Sequence, residues 1–287
     1  MGADIFAVIG RKIVVDVVDV GAMSLADDHD VYYQLTRANA ARVTGFEPIA
    51  DECAKRNAAA PEGHRFLPYA LGDGRDRTLH VCKVPMNTSL YEPNRELLDR
   101  FQNLGHMFDV VDRIPIATRR MDDLPEMGDV DFLKIDVQGA ELDVMQGARR
   151  CLEKAVIVNT EAEFAPLYKD QPLFAEVDQF LRKAGFTFHK FGFVAGRAFK
   201  PLQFKHDINQ TIGQLLWSDA VYVKDFMAFD QLAPEKLLKL AVVLHVVYQS
   251  YDLAAQALMA YDRSSGTELA ERYLAALMAD EGTAPTG

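Results

Sequence analysis

The sequence predicts an α/β fold built on a doubly wound, mostly parallel seven-stranded sheet. It adds a late antiparallel strand, an inserted hairpin and helix, and a C-terminal helical tail. Three observations predict this. β-branched runs alternate with helical stretches at the start of the chain, the pattern of parallel strands under covering helices. Two further strand-like runs follow the last core helix as a late antiparallel pair. Each of the five core strands ends on or just before an acid, at the end of the sheet where ligands bind in such folds.

The elements follow in order. "KIVVDVVDVGA" (12–22) is a β-branched run stopped by Gly21-Ala22, and "DVYYQLTRANAARV" (30–43) has helical character. "VTGFEPI" (43–49) is a second strand, halted at Pro48, and "ADECAKRNAAA" (50–60) a second helix. "HRFLPYALGDG" (64–74) reads as a third strand running into a Gly-Asp-Gly turn. "TLHVCKV" (78–84) and "DVVDRIPIATRR" (109–120) alternate like a hairpin, with a loop and helix, "MNTSLYEPNRELLDRFQNL" (86–104), between them. "VDFLKIDV" (130–137) is the fourth core strand, followed by a helix from about Glu141 to Leu152. "KAVIVNTEAEF" (154–164) is the fifth, and "LFAEVDQFLRKAGF" (173–186) a helix with Gly185 at its C-cap. "FTFHKFG" and "DAVYVKDF" form the late antiparallel pair.

From Pro234 to about Asp280 the tail is helical, with proline in the first turn. "EKLLKLAVVLHVVYQSY" is apolar on nearly all sides, so the domain or a second copy of the chain must cover it; a homodimer through these helices is one such arrangement. The division expected is an α/β domain over residues 1–230, with an insertion at about 75–120, and a helical appendage over 231–287.

Composition narrows the function. A formal net charge of −11 repels nucleic acid and anionic membranes unless the fold gathers a basic patch. The longest apolar stretch, Leu240–Tyr248, is too short to span a bilayer, and the N-terminus does not read as a signal peptide. Cys53, Cys82 and Cys151 are far apart and odd in number, without metal-ligand spacing, so a reducing, cytoplasmic setting is expected and no metal site is predicted.

The strand tips carry Asp19, Gly21 and Ala22, then Glu47 and Pro48, then Leu71 and Asp73, then Asp136 and Val137, and last Glu161 and Glu163. The first loop has one glycine where a dinucleotide site has three. Asp27, Asp28 and Asp30 follow it and would repel phosphate, so the ligand expected is cationic or zwitterionic. Gly21 can alternatively serve as a turn glycine only. Glu47 can accept from both hydroxyls of a ribose, or be a solvated acid. Asp73 can meet an adenine amino group, or shape its turn. These features suit S-adenosylmethionine, which has a ribose and adenine but no phosphate, and a positive sulfonium.

"DFLKIDVQGAELDVMQGA" (131–148), with "DVGA", "GFEPI" and "ALGDG" in order before it, resembles the signature of FkbM-type methyltransferases. The resemblance covers about residues 13–225 and implies a Rossmann-like S-adenosylmethionine enzyme that methylates hydroxyls, often on sugars or secondary metabolites. Gln138 stands where that family commonly has Glu, and the first loop lacks a later glycine.

For methyl transfer to oxygen, a base that takes the hydroxyl proton is needed. Asp136 is the first candidate and Glu161 or Glu163 the next; His106 and His189 are alternatives. Lys134 shares a side of its strand with Asp136, either as a partner that holds the site or as a catalytic group. Gly139 permits the strand-to-helix turn, and Glu141 suits the helix N-terminus. The loops at 86–93 and 163–172, with Tyr91, Tyr168 and Lys169, are expected to form a pocket for a small-molecule or glycan acceptor. A catalytically silent binding module and a nucleotide-dependent oxidoreductase are the competing readings.

Overall fold

The computed structural model describes residues 3–22, 30–203 and 205–281. A short helix, α1 (Ile5–Ile9), precedes β1 (Val15–Val20), α2 (Tyr33–Arg37), β2 (Ala41–Phe46), α3 (Ala50–Ala59) and β3 (His64–Leu67). The insertion holds β4 (Asp76–Cys82), α4 (Arg95–Leu98) and β5 (Val110–Ala117). The core resumes with β6 (Phe132–Ile135), α5 (Glu141–Gln146), α6 (Arg149–Lys154), β7 (Ile157–Glu163), α7 (Phe174–Lys183), β8 (Phe186–Gly196) and β9 (Leu215–Lys224). The tail forms α8 (Pro234–Val246), α9 (Tyr251–Ser265) and α10 (Leu269–Glu281).

The seven-stranded sheet has the order β3-β2-β1-β6-β7-β9-β8, and β4 pairs with β5 in a separate hairpin. From β3 to β7 every neighbour is parallel, and β9 runs antiparallel to both β7 and β8. This is the Rossmann-like, mostly parallel sheet expected. Strand order reverses between β1 and β6, so the switch-point crevice lies above their carboxyl ends.

Alternation along the strands divides the core. Val15, Val17, Val43, Phe132 and Ile157 pack with α8 and α9 on one face, while Val18, Val20, Leu133, Ile135 and Val158 pack with residues of α5, α6 and α7 on the other. The helix after β1 has five residues, too few to cover its face. The fully buried run Leu237–Leu244 of α8 takes that place. The tail that reads as an appendage therefore closes the sheet, and the apolar surface that suggested a dimer is spent inside the chain.

α8 is also fixed by charge. Lys239 Nζ lies 2.9 Å from Asp16 and 2.6 Å from Asp131, and Lys236 Nζ lies 2.6 Å from Asp131 and 3.0 Å from Asp129. These acids sit at the amino end of β1 and just before β6, opposite the ligand end of the sheet.

Three elements differ from the sequence reading. The third strand stops at Leu67, because Pro68 cannot continue the ladder. The helix over 30–43 shrinks to α2, ended by Asn39 at φ +50°. The helix over 141–152 breaks into α5 and α6 at Gly147, where a Cβ would lie 2.1 Å from the Gly72 carbonyl oxygen. The three cysteines are buried and unbonded. Among the described residues no helix is long and apolar enough to cross a membrane.

Candidate active site

β1 ends in Gly21, which takes φ +82°. A Cβ there would sit 1.8 Å from the Asp136 carbonyl oxygen, so only glycine lets the tips of β1 and β6 meet. The Gly21 and Ala22 amides both donate to the Phe46 carbonyl, at 3.1 Å each. They tie β1 to β2 rather than waiting for a ligand.

Above these tips lies a cavity of about 570 Å³, within the range of about 300–1,000 Å³ typical of small-molecule sites. Of the residues expected in the site, Gly21, Glu47, Pro48, Leu71, Lys134, Asp136 and Val137 line it. Phe46, Ile49 and Tyr69 join Leu71 and Val137 in an apolar wall suited to a flat base. Met86, Ser89 and Leu90 of the inserted loop also line it. The first loop's Asp27 and Asp28 lie outside the described residues; Asp30 lines the cavity and pairs with Arg56 at 3.0 Å.

Glu47 is almost fully buried at the tip of β2. One of its oxygens accepts from the Ile49 N–H at 2.8 Å. Burial raises its carboxyl above the usual range, and that hydrogen bond partly offsets the effect.

The reactive end is built around Lys134. It faces Asp19 across the β1–β6 pairing, with its ammonium 3.2 Å from Asp19 and 3.7 Å from Asp136. Burial works against its charge, but Asp19 and Asp136 outweigh it, and the ammonium stays protonated. Asp19 is fully buried, accepts from the Tyr32 hydroxyl at 2.8 Å, and does not line the cavity. It positions Lys134.

Gln138 is the hub of the acids. It holds φ +58°, unusual for a residue with a side chain. Its amide nitrogen donates to Asp136 at 2.9 Å and to Glu161 at 2.6 Å, and its amide oxygen accepts from the Tyr168 hydroxyl at 3.2 Å. Its main-chain oxygen accepts from Ser89 Oγ at 2.6 Å, which ties the inserted loop to this turn. Burial, reinforced by Asp136, drives the Glu161 carboxyl well up; burial, reinforced by Glu141, does the same for Glu163. Glu141 accepts from the Val137 and Gly139 amides, yet burial pushes it up to about 7.

Several expected residues lie elsewhere. Glu161 and Glu163 share one side of β7, Glu161 bonded to the Gln138 amide, and neither lines the cavity. Ala22 is buried away from it. Asp73 lies six residues past the end of β3, pairs with Arg77 at 2.9 Å, and does not line the cavity. Tyr91 donates to Asp143, Tyr168 is buried in the Gln138 network, and Lys169 pairs with Glu92. His189 contacts Ser250, and neither it nor His106 lines the cavity.

Asn159, Asp219 and Phe193 line the cavity and were missed. Asn159 lies two residues before Glu161 and opposite Lys134, so strand alternation alone could have found it. Asp219 is opposite Glu161 on β9, a pairing no local pattern reveals.

A sequence model described as the Methyltransferase FkbM domain matches residues 19–188. No curated protein sequence matches the chain. Among solved structures, the magnesium protoporphyrin IX methyltransferase of Synechocystis PCC 6803, determined with SAM bound, is similar at 11% identity over 77% of this chain and 76% of that one, with a TM-score of 0.38. A putative methyltransferase of Thermoplasma acidophilum is similar at 8% identity over 78% and 76%, with a TM-score of 0.37.

Proposed function

The chain belongs to the Methyltransferase FkbM domain family, and from that premise we propose that it is an S-adenosylmethionine-dependent O-methyltransferase acting on a hydroxyl of a sugar, glycan or secondary metabolite. The observation that carries the reading is one cavity with Glu47 beside an apolar wall and Asp136 with Lys134 at a polar end. Glu47 accepts the ribose hydroxyls, and Phe46, Ile49, Tyr69 and Leu71 enclose the adenine. Pro48 and Val137 complete that wall. S-adenosylmethionine supplies a methyl group on a positively charged sulfur, and the surrounding carboxyls favour that charge.

Asp136 is the base. Its side chain is 39% exposed, the most open of the strand-tip acids that meet Lys134. The acceptor oxygen bonds to the methyl carbon as the carbon–sulfur bond breaks, and its proton passes to the Asp136 carboxylate. Lys134 and the Gln138 amide hold that carboxylate in place. The loop through Met86, Ser89 and Leu90 walls the acceptor side.

Calorimetry with S-adenosylmethionine tests the reading. The wild-type protein binds it, and Glu47→Gln weakens binding by about ten- to a hundredfold with an unchanged melting temperature. Absence of binding to the wild type overturns the proposal. Binding without turnover on a panel of hydroxylated acceptors leaves a binding module instead.

A further inference from the structure

The edge of the sheet beside the cavity has a composition unlike the rest of this acidic chain. Between Asp178 and Asp207 no acidic residue occurs, while Lys190, Arg197, Lys200 and Lys205 do. The end of β8 and the connection to β9 also carry exposed apolar side chains: Phe193, Phe199, Leu202, Ile208, Ile212 and Leu215. Leu202 is 60% exposed and Ile212 51%. Phe193, 57% exposed, lines the cavity as well, so this surface runs up to the cavity mouth.

We propose that the β8–β9 connection docks on an anionic lipid bilayer, with its apolar side chains entering the interface and its lysines meeting the headgroups. Basic and apolar residues are interleaved along the segment in the order Phe199, Lys200, Leu202, Lys205, Ile208, the mixture that interfacial segments use; Arg197, stacked on Trp217, offsets Asp207, the one acid between 197 and 215. The chain's net charge of −11 does not prevent this. At physiological salt, charges farther away than a Debye length of about 8 Å are screened, so the local positive segment decides the contact. The docking goes beyond methyl transfer and does not need it. If the methyl-transfer reading also holds, the mouth at Phe193 opens beside the bilayer, where an amphipathic acceptor would present its hydroxyl.

Flotation with vesicles tests the docking without any turnover. The wild-type protein should float with vesicles of phosphatidylcholine containing about 30% phosphatidylglycerol, and bind at least about tenfold more weakly to phosphatidylcholine alone. Leu202→Asp and Ile212→Asp should each weaken binding by about tenfold, and Lys200→Glu by about fivefold. Melting temperatures check that each variant folds, and Lys200→Glu, at an exposed position, carries the test if the apolar variants do not. No binding to the anionic vesicles, or equal binding by the folded variants, overturns the proposal. So does a dimer in sedimentation that Leu202→Asp dissociates, since a second copy then covers the face.

Discussion

The two ends of the sheet both gather carboxylates but treat them in opposite ways. At the amino end, Asp16, Asp129 and Asp131 meet Lys236 and Lys239 of α8, with Arg42 adding a third cation 2.7 Å from Asp16. Every acid there has a cation within hydrogen-bond reach. At the carboxyl end, among Asp19, Asp136, Glu141, Glu161 and Glu163, Lys134 reaches Asp19 and Asp136 and Arg56 reaches only Asp19, at 3.7 Å, while the neutral amide of Gln138 bridges Asp136 and Glu161. The first cluster could geometrically hold a metal ion, but lysines fill that role and the result is a clasp. The second keeps surplus protons on carboxyls whose charged forms are disfavoured. Matched charge holds the fold together, while unmatched charge at a crevice is what chemistry on a cationic ligand needs.

The largest expected effect breaks the matched end. Lys239→Met leaves Asp16 and Asp131 short of a buried partner and should cost about 3–5 kcal/mol in denaturant unfolding. S-adenosylmethionine affinity of the folded fraction should not change. A loss below about 1 kcal/mol would show that the clasp contributes little.

Next is the pH response of the unmatched end. The Glu141 carboxyl titrates at about 7 in the fold, against about 4.3 when unfolded. Between these values the folded state binds more protons, so stability falls as pH rises through the window, by on the order of 2 kcal/mol. Melting curves from pH 4.5 to 8 should show the decline, and Glu141→Gln should flatten it.

The smallest effect sharpens the comparison at Gln138. Gln138→Glu replaces a donor shared by Asp136 and Glu161 with a further carboxylate and should cost about 1–2 kcal/mol at pH 8. The penalty should shrink towards pH 5 as the group takes up a proton. A penalty that does not change with pH would assign Gln138 a packing role instead.

The sequence made the strand tips legible because strand ends are local. The β-branched runs fixed β1, β6 and β7, and the acids at their ends marked the crevice, so Glu47, Lys134 and Asp136 were found on the cavity wall. Asp73 was misplaced because Pro68 ended β3 earlier than the apolar run implied. Glu161 and Glu163 stood as second candidates for the base, and nothing local says that the Gln138 amide engages Glu161. Asp219 and Phe193 were illegible for a deeper reason: they come from β9 and β8, which reach the site only through long-range pairing.

The dependence of β1 on α8 has a consequence for how this polypeptide is made. Lys239 and Asp16 are 223 positions apart, and Val15 and Val17 of β1 are covered by Leu237–Leu244. A chain leaving the ribosome amino end first therefore leaves one face of its central strand uncovered until α8 has emerged. Such distant contacts slow folding and lengthen exposure. Completion of the sheet's core is thus coupled to the docking of α8.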